Sequence, residues 1–99
     1  MFGLKQNALD FIKNITSENP NVKDVLVFGS RVMGNYKSSS DVDLVLIGNL
    51  TLSETIAISG KLNDESPTPY FYDILHYDSI KNERLREHIM QFGKSILHI

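Results

Sequence analysis

VLVFGSRVMGNYKSSSDVDLVLI, residues 25–47, sets two apolar runs on either side of a polar stretch that opens with Gly29-Ser30 and closes with Asp41-Val42-Asp43. The first run, Val22–Phe28, is short, β-branched and aromatic, the pattern of a buried strand; the second, Val42–Ile47, reads the same way and is closed by Gly48-Asn49. Glycine at position 29 lets the backbone turn sharply and lets a bulky ligand approach closely. Ser30 opens a helical turn whose free N–H groups, together with its hydroxyl, suit an anionic phosphate. The ten residues between Ser30 and Asp41 have room for one or two helical turns. Asp41 and Asp43 are two apart in extended chain, so both carboxylates point to one face. Such a pair repels itself unless it is exposed or a divalent cation sits between its members. Magnesium suits that place, because it takes carboxylate, water and phosphate oxygens together.

Outward from this stretch, helix and strand patterns alternate. Leu4, Ala8, Phe11, Ile12 and Ile15 recur at helical spacing and predict an amphipathic helix over residues 3–18. Asn19-Pro20-Asn21 ends it, since the residue before proline is pushed out of the helical region. Thr51 or Ser53 caps a helix carrying Ile56, Ala57 and Leu62 that frays towards Asp64–Ser66. Pro67 and Pro69 flank a turn into a third strand, Tyr70–His76. Asp78 or Asn82 begins a last helix with Leu85, Ile89 and Phe92 on one face, and Gly93 stops it. Residues 95–99 read as a short final strand. The order predicts an α/β (α+β) fold in a single domain over 1–99: a small mixed sheet of three to four strands with helices packed mainly on one face.

Composition narrows the function classes. The 99 residues contain no cysteine and carry a net charge of −2. Disulfides and cysteine-ligated zinc are thereby excluded. No apolar run approaches the ~20 residues of a membrane span, and the first residues lack the pattern of a secretory signal, so the expected location is cytoplasmic. A slightly acidic chain is no general nucleic-acid coat, although a single nucleotide remains within its reach. His76, His88 and His98 lack metal-ligand spacing and read as surface or strand-end residues. Tyr70, Tyr72 and Tyr77 could stack on a base, and strand propensity explains them equally well.

Gly-Ser before a helical turn and Asp-x-Asp at a strand start are each common alone. Joined at this spacing they arise by chance in only about one chain of this length in a thousand. Phe28-Gly29-Ser30, ten residues, then Asp41-Val42-Asp43-Leu44 resembles the fingerprint of the DNA polymerase β-like nucleotidyltransferase superfamily. The wording Gly29-Ser30-Arg31-Val32-Met33-Gly34 resembles its minimal nucleotidyltransferase branch, whose members are about this long.

That resemblance implies transfer of a nucleoside monophosphate, with AMP from ATP as the expected case, to an acceptor hydroxyl with release of pyrophosphate. It implies a third carboxylate on a later strand, and Asp73, amid apolar and aromatic neighbours, is the strand-borne candidate. The implied catalytic and metal-binding residues are Asp41, Asp43 and Asp73, holding two Mg2+ ions. Gly29 and Ser30 would hold the phosphates, with Arg31 assisting and Lys37 a weaker candidate. The branch typically works beside a helical HEPN-type protein as its antitoxin, so the expected partners are ATP and such a protein, with no membrane and no extended nucleic acid. A homo- or hetero-oligomer is compatible with these residues. A binding module that neutralises its partner by complex formation is the alternative, and a two-metal nuclease is disfavoured because it has no use for a triphosphate-holding Gly-Ser turn.

Overall fold

The computed structural model describes residues 2–34, 37 and 41–98. Elements follow the order α1 (Gln6–Ser17), β1 (Val22–Phe28), α2 (Ser30–Met33), β2 (Val42–Gly48), α3 (Leu52–Asp64), β3 (Tyr72–His76), α4 (Glu83–Phe92) and β4 (Lys94–Ser95), with a 3-10 turn at Tyr77–Ser79. The four strands form one sheet in the order β3-β2-β1-β4. β1 runs antiparallel to both β2 and β4, while β2 and β3 are parallel. The expected mixed sheet is therefore present, and α3 is the crossover that a parallel β2–β3 pair requires.

Alternation along the strands sorts the side chains onto two faces. Val25 and Val27 of β1, Val42, Leu44 and Leu46 of β2 and Tyr72 of β3 pack with Ala8, Leu9 and Ile12 of α1 and Ile58 and Leu62 of α3 in the main core. Phe28 and Val45 lie on the opposite face with Ile89 of α4, flanked by Leu26, Leu75 and Leu85. Two long helices thus cover one face, while α4 covers part of the other. Leu26 pairs with Val45, and Val45 with Leu75, so α4 sits over that row of the sheet. One step along, the row is Phe28, Asp43 and Asp73. This second row is where the site lies.

Several boundaries differ from expectation for local reasons. The first helix starts at Gln6 rather than residue 3, after an extended Lys5. Thr51 caps α3 in a reciprocal capping box: Glu54 N–H donates to the Thr51 hydroxyl at 3.1 Å, and Thr51 N–H to the Glu54 carboxylate at 3.0 Å. Asn82, not Asp78, caps α4 by accepting from Leu85 N–H at 3.1 Å. Gly93 does stop α4, but in extended geometry with φ −62° rather than the left-handed form. Its glycine is required by space, because a Cβ there would stand 2.5 Å from the Ile89 carbonyl oxygen. The last strand is confined to Lys94–Ser95, where it pairs with Val27 and Leu26; Ile99 lies outside the described residues. β3 begins at Tyr72, not Tyr70. There Asn63 donates to the Tyr72 carbonyl at 3.0 Å and accepts from Tyr72 N–H at 2.8 Å, a side-chain amide standing in for a neighbouring strand.

Candidate active site

Three segments meet at the end of the sheet that α4 leaves open. The first is the turn after β1. Gly29 has φ 75° and ψ −146°, a region open in practice to glycine alone. A Cβ at this position would stand 2.5 Å from Oδ2 of Asp43, so the turn and the second carboxylate are fitted against each other. The Gly29 carbonyl accepts from Val32 N–H at 3.2 Å and Met33 N–H at 3.1 Å, which opens α2 directly behind Ser30. Ser30 is half-buried.

The second segment is the start of β2. Val42 and Leu44 point into the main core, so Asp41 and Asp43 project from the other face, as the spacing of two predicts. Asp41 is exposed and Asp43 half-buried. The third segment is β3, whose Asp73 is the register partner of Asp43 in the parallel pair. Adjacent strands lie about 4.8 Å apart, so these two carboxylates are neighbours on one face. Burial, then Asp73, then Asp41, together hold the Asp43 carboxyl above its ordinary 3.8. The sequence-predicted trio is thus brought to one place, and Asp43 is its electrostatic centre.

The donor chemistry of this trio, three carboxylates on one face with a glycine cradle beside the middle one, fits a hard divalent cation. The side chains are not already drawn into a ligand cage: among the described residues, no group of three or more histidine or acidic side chains is arranged to hold a metal ion.

Arg31, expected to assist at the phosphates, lies in α2 directly after Ser30. It is only 2% exposed. Its guanidinium carbon lies 5.0 Å from the centre of the Tyr70 ring, and Nη1 donates to the Phe2 carbonyl at 3.3 Å. These two contacts tie the start of α2 to the N-terminal segment and to the approach to β3. Lys37 is exposed, and its neighbours 35, 36 and 38–40 lie outside the described residues.

Other candidates resolve individually. His76 ends β3 as expected, yet it is a staple rather than a surface group: Nε2 lies 2.7 Å from the Gly48 carbonyl and Nδ1 3.0 Å from the Ser79 hydroxyl. Tyr72 is buried in the main core and Tyr77 lies under the Arg86 guanidinium at 4.5 Å. Phe71, which no sequence pattern singles out, is 58% exposed. Its period-two relation to Asp73 is the one local signal, and it is masked by two flanking tyrosines of equal strand propensity.

Comparison with known proteins bears on the family and the fold. The family model described as "Polymerase beta, Nucleotidyltransferase" matches residues 10–99. No curated protein matches the sequence significantly. Among solved structures, a toxin–antitoxin with AMP-PNP superposes with a TM-score of 0.73 at 20% identity, covering 89% of this chain and 71% of that one. A tri-AMPylated Shewanella oneidensis HEPN toxin in complex with its MNT antitoxin gives 0.70 at 17% identity, covering 94% and 71%. The toxin–antitoxin MntA–HepT gives 0.69 at 18% identity, covering 93% and 71%. At these identities the likeness is one of fold. No helix among the described residues is long and apolar enough to cross a membrane.

Proposed function

This chain belongs to the polymerase β nucleotidyltransferase family, and on that premise we propose that it transfers a nucleoside monophosphate, AMP from ATP, to a hydroxyl on a partner protein. The observation that carries the reading is the register of β3 against β2, which sets Asp73 beside Asp43 on the open face next to the Gly29-Ser30 turn.

In the proposed reaction, Gly29 and Ser30 hold the β- and γ-phosphates. Asp41, Asp43 and Asp73 are the residues that would hold magnesium, two ions in this reading. Bound there, magnesium neutralises phosphate charge and stabilises the entering and leaving oxygens. The acceptor oxygen forms a bond to the α-phosphorus as the bond from that phosphorus to the bridging oxygen breaks, and pyrophosphate leaves. Asp73 takes the proton released by the hydroxyl, directly or through water. Arg31 assists Gly29 and Ser30 in neutralising phosphate charge, and its contacts with Phe2 and Tyr70 keep α2 and the turn in place.

A protein acceptor is favoured by the openness of this end of the sheet and by a net charge of −2, which supplies no basic track for a nucleic-acid primer. The structural likeness to antitoxins bound to HEPN toxins supports a HEPN-type protein as that partner. Pyrophosphate release with ATP, magnesium and the co-expressed partner tests the reading. The parent should release pyrophosphate and label the partner from ATP marked at the α-phosphate. Asp43→Asn and Asp73→Asn should each lose at least about a hundredfold, the scale of losing a main transition-state contact. Partner neutralisation that persists in both variants, with no label in the parent, would instead establish the binding-module alternative.

A further inference from the structure

Around Asp73, three of the four aromatic side chains are engaged with the protein itself. Tyr70 packs on Arg31 and its hydroxyl donates to the Gly3 carbonyl at 3.4 Å. Tyr72 fills the main core, and Tyr77 lies against Arg86. Phe71 remains, 58% exposed, at a cost in apolar hydration that nothing in the fold requires.

Its direction follows from its neighbour. Tyr72 points into the core under α1 and α3, so the residues on either side of it, Phe71 and Asp73, project from the opposite face. The Phe71 carbonyl accepts from Val42 N–H at 2.9 Å, which ties this residue into the ladder beside Asp41. The phenyl group therefore flanks the carboxylates on the outermost strand of the sheet.

Three columns now run across the open face, about 4.8 Å apart: the Gly29-Ser30 turn at the end of β1, the Asp41 and Asp43 column of β2, and the Phe71 and Asp73 column of β3. With the leaving pyrophosphate on the turn and the α-phosphorus over the middle column, in-line displacement sends the entering oxygen in from the β3 side. We propose that Phe71 is an acceptor-binding residue, packing against the carbon body of the side chain that carries the attacking hydroxyl. This rests on the nucleotidyltransferase reading and adds a specificity element to it. An apolar ring beside the proton-accepting carboxylate favours an acceptor with a broad carbon surface over a short polar one.

The test uses the full chain with magnesium, ATP labelled at the α-phosphate, and two probes, N-acetyl-Ala-Tyr-Ala-amide and N-acetyl-Ala-Ser-Ala-amide. The parent should label the tyrosyl peptide faster than the seryl one. Phe71→Ala, a truncation of an exposed ring, should keep the parent's melting temperature and its KM for ATP. It should lose about tenfold in kcat/KM for the tyrosyl peptide, equivalent to about 1.4 kcal/mol, with little change for the seryl peptide. Phe71→Trp should restore most of that loss. A raised KM for ATP in Phe71→Ala would assign the ring to the nucleobase and overturn the proposal. Unchanged kinetics with both substrates would also overturn it, and would leave the nucleotidyltransferase reading standing. A parent that releases no pyrophosphate under any of these conditions would fail the underlying reading, and the Phe71 assignment with it.

Discussion

Gly29→Ala tests whether the turn and the carboxylates are one device. Two costs follow from the structure. Alanine at φ 75° and ψ −146° enters a region that costs about 1–3 kcal/mol for a residue with a Cβ. The new Cβ would also stand 2.5 Å from Oδ2 of Asp43, but 3.4 Å from its Cγ and 3.6 Å from its Cβ. Only the tip of that side chain is in the way, so the carboxylate swings aside at about 0.5–1.5 kcal/mol of rotamer strain. The sum is about 1.5–4.5 kcal/mol, which for a chain of this size lowers the melting temperature by roughly 6–36 °C. Displacing Asp43 from its place beside Asp73 should also reduce pyrophosphate release to the level of Asp43→Asn. The steric part is isolated by a double-mutant cycle. In an Asp43→Ala background the Cβ has room, so Gly29→Ala should cost only the backbone part, giving a coupling of about 0.5–1.5 kcal/mol. Melting followed by circular dichroism reads the stabilities, and a pyrophosphate assay at a temperature well below each midpoint reads the activity. A single variant that melts within about 2 °C of the parent would refute the backbone argument. Zero coupling in the cycle would refute the contact.

Two further outcomes are expected. Because burial and the neighbouring aspartates raise the Asp43 pKa above 3.8, its charged form is disfavoured in the folded state, and the cost grows as pH rises through the raised value. Asp43→Asn should therefore melt above the parent at pH 7 without magnesium, with the difference closing near and below pH 4; an increment independent of pH would contradict this. Asn63→Ala removes the two hydrogen bonds that close the outer edge of β3 at Tyr72, costing about 1–3 kcal/mol. Hydrogen exchange at the Tyr72 amide should quicken by at least tenfold, and an unchanged rate would mean that water replaces the amide without loss.

What the chain alone determined is what depends on near neighbours. The spacing of two that sets Asp41 and Asp43 on one face, the helical period of Leu85, Ile89 and Phe92, and the Gly-Ser turn behind a β-branched run are properties of short segments, and each is present in the fold. Strand pairing is not of that kind. Whether Asp73 lies beside Asp43 depends on how far α3 carries the chain back along the sheet, and a shift of one residue would have sent Asp73 into the core and Tyr72 onto the open face. The fate of Arg31 was equally hidden. Local sequence places a cation next to a phosphate-holding turn, while the Tyr70 ring that packs on its guanidinium is 39 residues away and meets it only when β3 closes the sheet. Phe71 and Tyr72 have the same strand preference, and only the helices packed on one face decide which ring is buried and which faces the carboxylates. Local periodicity names the faces of an element; burial, which is collective, decides which face is the inside.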